Sequence, residues 1–106
     1  MNALDYHVLL ALSSGSLHGY AIKDAVAVDS AGAETPRAGT LYRVIARLIT
    51  AGLVRETRAN GKAEPHPGLE RRYYGLTAIG RHALAGEAQR LKGTAALAQR
   101  RLGEIR

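Results

Sequence analysis

The sequence predicts a mainly helical α+β fold in one structural unit. Three segments in the first half of the chain carry apolar residues at helical spacing, and two short β-type segments flank a polar loop after them. With 106 residues, the protein can form one core of modest size but not two. We therefore predict a first part, residues 1–76, and a terminal helix, residues 77–106, within the same unit.

Two helices are predicted before residue 30. The first spans Ala3–Ser14, because Asn2 can cap its start and Gly15 fits as its C-terminal stop. The second spans Gly19–Asp29, or begins one residue earlier at His18. The apolar face of the first contains Leu4, Val8, Ala11 and Leu12, and the second is expected to bury Tyr20, Ile22, Ala25 and Val26.

The third predicted helix has the strongest pattern. It begins at Thr35–Pro36, which can supply a cap and a first-turn proline, and it runs to Ala51 before Gly52. Its inward face is predicted to hold Leu41, Val44, Ile45, Leu48 and Ile49. Its opposite face carries Thr40, Arg43, Arg47 and Thr50, with Arg37 and Gly39 at the amino end.

A hairpin is predicted after Gly52. Its strands are Leu53–Arg58 and Glu70–Leu76, and the polar loop "ANGKAEPHPGL" lies between them. Adjacent side chains of a strand point to opposite faces, so one of Tyr73 and Tyr74 is expected in the core.

The terminal helix is predicted to be capped by Thr77 and to continue almost to Arg106. Apolar and small residues recur along it in steps of four and three, which is a heptad seam: Leu84, Ala88, Leu91, Ala95, Ala98, Leu102 and Ile105. A chain of this size has little core left to cover such a seam. We therefore expect a second copy to cover it, and the alternative is a helix that folds back on its own domain.

Several function classes find no support in the sequence. The absence of cysteine excludes disulfides, thiolate metal sites and a cysteine nucleophile. The histidines, His7, His18, His66 and His82, show no metal-binding spacing, and "SSGSLHG" lacks the frame of a serine nucleophile. His18 is expected to cap or pack at a helix start. We expect no enzyme activity, no cofactor and no metal.

The chain is expected to be a soluble cytoplasmic protein. Its longest strictly apolar run, Val8–Leu12, is far shorter than the ~18 residues of a membrane span, and no signal peptide is recognisable.

Positive charge is unevenly distributed. The formal net charge is +6 and the sequence pI is near 10.2. Acidic side chains outnumber basic ones in residues 1–30, whereas basic side chains prevail from the third helix onward. A basic surface favours a polyanionic partner, because each neutralised phosphate releases counterions.

The third helix has the composition of a DNA-reading helix. Arginine can pair with guanine through two hydrogen bonds, and threonine can contact a thymine methyl or a phosphate. The first amides of a helix can bind a further phosphate. An ordinary solvated helix face is the alternative for this helix. The hydroxyl of Tyr42 could equally bind a phosphate or be buried.

A short helix, a turn, a helix and a basic hairpin together form a winged helix-turn-helix arrangement. The hairpin loop would be the wing, with basic side chains reaching the DNA backbone or the minor groove: Arg58, Lys62, His66, Arg71 and Arg72. Three functions remain open from this pattern. They are a DNA-binding regulator, a basic protein that binds RNA or DNA without sequence preference, and a module that binds an acidic protein.

Three blocks of the chain resemble the PadR family of transcriptional regulators: "LLALSSGSLHGYAIKDAV", "GTLYRVIARLITAGLV" and "RRYYGLTAIGRHAL". The resemblance extends over about residues 4–84. It implies a winged helix similar to that of MarR-type proteins. It also implies a homodimer formed through one terminal helix, and repression at a double-stranded, palindromic operator that a small-molecule effector relieves.

The resemblance also assigns individual positions. Thr40 and Tyr42 of "GTLY" match family positions that approach DNA, and Arg43 follows them. Ala38 stands where members often have proline, and the wing loop is longer than usual.

Overall fold

The computed structural model describes residues 1–57 and 72–103. Within these ranges the elements follow one another as α1 (Ala3–Ala11), β1 (Leu17–His18), α2 (Gly19–Asp29), α3 (Ala38–Thr50), β2 (Val54–Thr57), β3 (Tyr73–Leu76) and α4 (Ala78–Leu102). The predicted fold class is confirmed. The protein is a mainly helical winged helix-turn-helix with a small antiparallel sheet and a long last helix.

Helix α1 starts as predicted and ends earlier. Asn2 Oδ1 accepts from the Asp5 backbone N–H at 2.8 Å, and the Asp5 carboxylate accepts in return from the Asn2 N–H at 3.3 Å. This capping box satisfies two backbone donors at the helix start. The predicted end at Ser14 is wrong, because the backbone turns more tightly after Ala11: the Ser13 N–H donates to the Leu10 carbonyl, three residues back, at 3.1 Å.

Strand β1 was not predicted, because two residues carry no periodic pattern. It pairs with β3, and His18 at its end then caps α2 by accepting from the Ala21 N–H at Nδ1, at 3.3 Å. The capping role of His18 is thereby confirmed. The predicted burial of Tyr20 is wrong, since Tyr20 is 72% exposed. At 100° per residue it points away from Ile22 and Val26, which form the buried face of α2.

Helix α3 is capped two residues later than predicted. Its N-cap is Arg37, whose extended backbone (φ −71°, ψ 156°) carries no side-chain cap, so Thr35–Pro36 lies outside the helix. The helix ends at Thr50, and the chain reverses at Gly52 with φ +80°. Its inward face is buried as predicted except at Ile49, which lies at the exposed edge; the buried residues are Leu41, Val44, Ile45 and Leu48.

The sheet order is β1-β3-β2, with both pairings antiparallel. Both hairpin strands are shorter than predicted, since Leu53 does not belong to β2 and Arg72 does not belong to β3. Tyr74 is buried and Tyr73 is half-buried, which confirms that one of the pair enters the core. Arg58, Glu70 and the loop between them lie outside the described residues.

The start of α4 is fixed to the winged part by close backbone contacts. Thr77 Oγ1 accepts from the Gly80 N–H at 2.9 Å and donates to the Gly52 carbonyl at 2.6 Å, which confirms Thr77 as the cap. A Cβ at Gly80 would lie 2.0 Å from the Leu53 carbonyl oxygen. Only glycine therefore permits this approach. This explains why the segment "LTAIG", residues 76–80, ends in glycine.

One hydrophobic cluster joins α1, α2, α3 and the two hairpin strands. It contains Val8, Leu9, Ala11, Leu12, Ile22, Val26, Leu41, Val44, Ile45, Leu48, Val54, Tyr74 and Leu76. From α4 only the partly buried Leu84 packs against it. In residues 1–57 and 72–103, no helix has the length and apolar character that a membrane crossing requires.

Candidate nucleic-acid interface

The polar face of α3 is exposed along its whole length. Thr40, Arg43, Arg47 and Thr50 all lie on the surface, opposite the residues that anchor the helix in the core. An anchored helix has a fixed orientation, so the backbone positions from which its outer side chains extend are also fixed. This face is therefore a rigid platform for recognising a partner.

The amino end of α3 is open. Arg37 supplies no side-chain cap, and Gly39 is exposed with nothing within 4 Å of the position of a Cβ. The first N–H groups of a helix have no partner within the helix, and they carry part of the positive end of its dipole. An anion such as a phosphate can bind at such an end.

The two arginines of the face differ in their surroundings. Arg43 Nε donates to the Gly39 carbonyl at 3.4 Å, and in the part of the chain that the structure describes it has no acidic partner. Arg47 instead binds Asp5 of α1: Nη1 donates to Oδ2 at 3.2 Å and Nη2 donates to Oδ1. The hydrogen bond to Asp5, and then its charge, raise the pKa of Arg47. Arg43 is free to contact a ligand, whereas Arg47 is held.

Tyr42 connects α3 to the first turn of α2. It is 44% exposed, and a Cβ at Gly19 would lie 2.1 Å from its hydroxyl oxygen. The segments "HGY" and "GTLY" thus meet in space, and the glycine of the first makes room for the tyrosine of the second.

A small groove of about 50 Å³ lies at this contact, and Tyr20 and Lys23 are among the residues that line it. Neither residue is in the interface predicted from the sequence, since Tyr20 was predicted to lie in the core. The helical phase of Tyr20, opposite Ile22 and Val26, was the available signal.

Only one basic residue assigned to the wing lies in the described part of the chain. Arg72 is exposed, and its Nε is 3.7 Å from Glu56 Oε1, a distance typical of a weak surface ion pair. Arg58, Lys62, His66 and Arg71 lie outside the described residues.

The heptad seam of α4 is covered only at its beginning. Leu84 packs against the core and Ala88 is half-buried, but Leu91, Ala95, Ala98 and Leu102 are exposed. The helix ends at Leu102 with Gly103 at φ +72°, earlier than predicted, and Ile105 lies outside the described residues.

A cleft of about 350 Å³ lies between α1 and the middle of α4. Tyr6 and His7 line it on one side, and Glu87, Arg90 and Leu91 on the other. Among residues 1–57 and 72–103, no group of three or more His, Asp or Glu side chains could hold a metal ion.

Solved structures share this architecture. A PadR family transcription regulator from Clostridium difficile R20291 aligns with a TM-score of 0.77 and 24% identity, over 96% of this chain and 100% of its own. The PadR-like transcriptional regulator BC4206 of Bacillus cereus aligns with a TM-score of 0.77 and 20% identity, over 96% and 93%. Bacillus subtilis PadR, solved in complex with operator DNA, aligns with a TM-score of 0.66 and 22% identity, over 82% and 47%. Identities this low support the fold alone.

Sequence comparison identifies the family. An uncharacterized 37.1 kDa protein in transposon TN4556 of Streptomyces fradiae is 40% identical over 81 residues, which are 76% of this chain and 21% of that protein. The chain thus spans about a fifth of the length of this curated relative. The sequence pattern of the transcriptional regulator PadR-like family matches residues 8–86, which is most of the chain. The protein therefore belongs to the PadR-like family of transcriptional regulators.

Proposed function

We propose that the protein is a sequence-specific regulator that binds double-stranded DNA with α3 in the major groove. The observation that carries this proposal is the exposed Thr40 and Arg43 face of a helix whose other side is fixed by four buried apolar residues. The net charge of +6 supports a polyanionic partner. Bacillus subtilis PadR, which has the same fold, was solved with operator DNA.

Each part of the surface then has a distinct role. Arg43 pairs with a guanine edge, and Thr40 contacts a thymine methyl or a phosphate. The open amino end of α3, at Arg37 and Gly39, receives a backbone phosphate, and the partly exposed Tyr42 supplies a hydroxyl for a second one. The basic wing residues hold the backbone without reading sequence; they are Arg58, Lys62, Arg71 and Arg72.

The functional form is a homodimer held by α4. Leu91 and Leu102 are 37% and 69% exposed, and a second copy of the same helix would cover them together with the small residues between them. Two copies related by a two-fold axis present two copies of α3. The matching operator is palindromic, with half-sites about one helical turn, ~34 Å, apart or a multiple of that.

The dimer acts as a repressor that a small molecule releases. The cleft between α1 and α4, about 350 Å³, is of the size that small-molecule sites have, about 300–1,000 Å³. It adjoins the helix proposed to hold the dimer. A ligand there could change the angle between the two subunits, and with it the distance between the two reading helices.

A competition experiment tests the core of the proposal. A labelled symmetric duplex, obtained by selection, should stay bound in the presence of excess random duplex at fixed salt. Equal displacement by random duplex would indicate a basic protein without sequence preference. Failure to bind any nucleic acid would indicate a module that binds an acidic protein.

A further inference from the structure

We infer that Arg47 is a positioning residue, which fixes the reading helix α3 to the first turn of α1, and that Arg43 is the arginine that reads a base. The inference rests on the proposed function, since it assigns roles within a helix that is proposed to read DNA. It assigns different roles to Arg43 and Arg47, which the sequence pattern does not distinguish.

The surroundings of Asp5 carry the argument. Asp5 is only 4% exposed, and its two carboxylate oxygens accept from the Asn2 N–H at 3.3 Å, from Arg47 Nη1 at 3.2 Å and from Arg47 Nη2. A buried carboxylate that loses its cation becomes an uncompensated charge. A movement of Arg47 from Asp5 to a base edge would therefore leave the buried carboxylate unpaired, which opposes that movement.

Arg43 has no such restraint. It lies one turn nearer the amino end of α3, about 6 Å along the helix axis, where a helix in the major groove makes its base contacts. Its one hydrogen bond in the described residues is local, to the Gly39 carbonyl at 3.4 Å. Contact with DNA would replace that bond without exposing a buried charge.

The ion pair also joins two functional regions. The capping box places Asn2 and Asp5 in the same turn of α1, and Met1, Asn2 and Ala3 line the cleft that α1 forms with α4. Asp5 therefore connects the reading helix to the segment that contacts the proposed dimer helix. Loss of the pair should loosen the orientation of α3 relative to the second subunit, without removing a base contact.

The experiment compares Arg47→Ala and Asp5→Asn, with Arg43→Ala as the matched control one turn away. Asparagine at position 5 keeps an oxygen for the Asn2 N–H, so this variant removes the charge and preserves the capping interaction. Affinity is measured on the selected site, on each of its single-base variants, and on sites with one base pair added or removed between the half-sites.

The inference predicts that Arg47→Ala and Asp5→Asn weaken binding by a similar factor on every single-base variant and reduce the preference for one half-site spacing. Arg43→Ala should instead reduce discrimination at one base pair by about 5- to 150-fold. Loss of discrimination at one base pair in Arg47→Ala, with Asp5→Asn unchanged, would overturn the inference.

A measurement without DNA separates this inference from the proposed function. In urea unfolding, the variant that combines Arg47→Ala with Asp5→Asn should be no less stable than the less stable of the two single variants. Both single variants already break the same pair. Arg47→Lys, which keeps the charge, should recover part of the stability. Additive losses would overturn the link between α1 and α3. Failure of the wild-type protein to prefer any DNA sequence would overturn the proposed function and leave the unfolding cycle to decide on the ion pair.

Discussion

Helices α3 and α4 both carry apolar residues at regular spacing along one side, but they differ in what covers those residues. Within its own chain, α3 buries Leu41, Val44, Ile45 and Leu48. Helix α4 has 25 residues, and Gly80 is its only buried residue among those described. A helix with a covered apolar face can offer its polar face to a ligand. A helix with an uncovered apolar face requires a partner, and for α4 we propose a second copy.

The difference arises within α4 itself. Its first turn is held by Thr77 and by the approach of Gly80 to Leu53, and Leu84 reaches the core. Beyond Leu84 the helix leaves the winged part, except for its contact with α1 across the cleft. The folding-back alternative from the sequence therefore applies to the start of α4. The remainder of the seam is exposed, and its coverage by a second copy stays a prediction.

The largest expected effect follows from removing the exposed half of α4. A chain truncated after Ala85 keeps the whole core cluster and should be a folded monomer by light scattering and circular dichroism. Because the two subunits, and with them their reading helices, are then no longer linked, the Kd for the operator should rise by about 10²-fold or more. A dimer that persists in this variant would contradict the assignment of the seam.

Paired glycine substitutions test the anchored and free halves of α4 directly. Gly80→Ala should destabilise the protein by about 1–3 kcal/mol, because its Cβ would lie 2.0 Å from the Leu53 carbonyl oxygen. Gly86→Ala meets nothing within 4 Å and should stabilise the helix by up to ~1 kcal/mol. Urea unfolding measures both. Equal effects of the two substitutions would mean that the start of α4 is not tightly packed.

Two substitutions distinguish base reading by the outer face of α3 from phosphate binding by the wing. Arg43→Ala should cost about 1–3 kcal/mol on the selected site and relax the preference at one or two positions of each half-site. Lys62→Ala in the wing should weaken binding equally on selected and random DNA, because phosphates carry no sequence information. Fluorescence anisotropy at matched salt measures both. Full sequence preference in Arg43→Ala would assign base reading to other residues.

The smallest expected effect concerns the ion pair between Glu87 and Arg90 of α4. Hydrogen bonds from Arg90, at 2.7 and 2.8 Å, lower the pKa of Glu87. A lowered carboxylate pKa gives stability that is present above the ordinary value, about 4.5, and is lost as the pH falls below it. Wild-type protein should therefore lose slightly more stability on acidification than Glu87→Gln. Identical pH profiles would show that the pair contributes nothing, as many surface pairs do.

The sequence predicted the features that depend on local pattern. The caps at Asn2 and Thr77, the buried face of α3 and the burial of one tyrosine of the β3 pair all follow from neighbouring residues. Strand β1 could not be predicted, because its two residues become a strand only by pairing with β3.

The features that the sequence did not predict depend on contacts between segments that are distant in the chain. Asp5 and Arg47 are 42 residues apart, so their ion pair depends on how α1 crosses α3. The need for glycine at position 80 likewise depends on the backbone of Leu53, which belongs to a different segment. The candidate site was therefore predictable as a helix face, while the division of that face between Arg43 and Arg47 was not.

Selection of bound sequences from a random double-stranded DNA library tests the central claim most directly. The account predicts enrichment of one symmetric sequence with two half-sites. It also predicts that log K for that sequence falls by about 0.9 per neutralised phosphate for each log unit of salt. Absence of any enriched sequence, or binding that does not respond to salt, would contradict it.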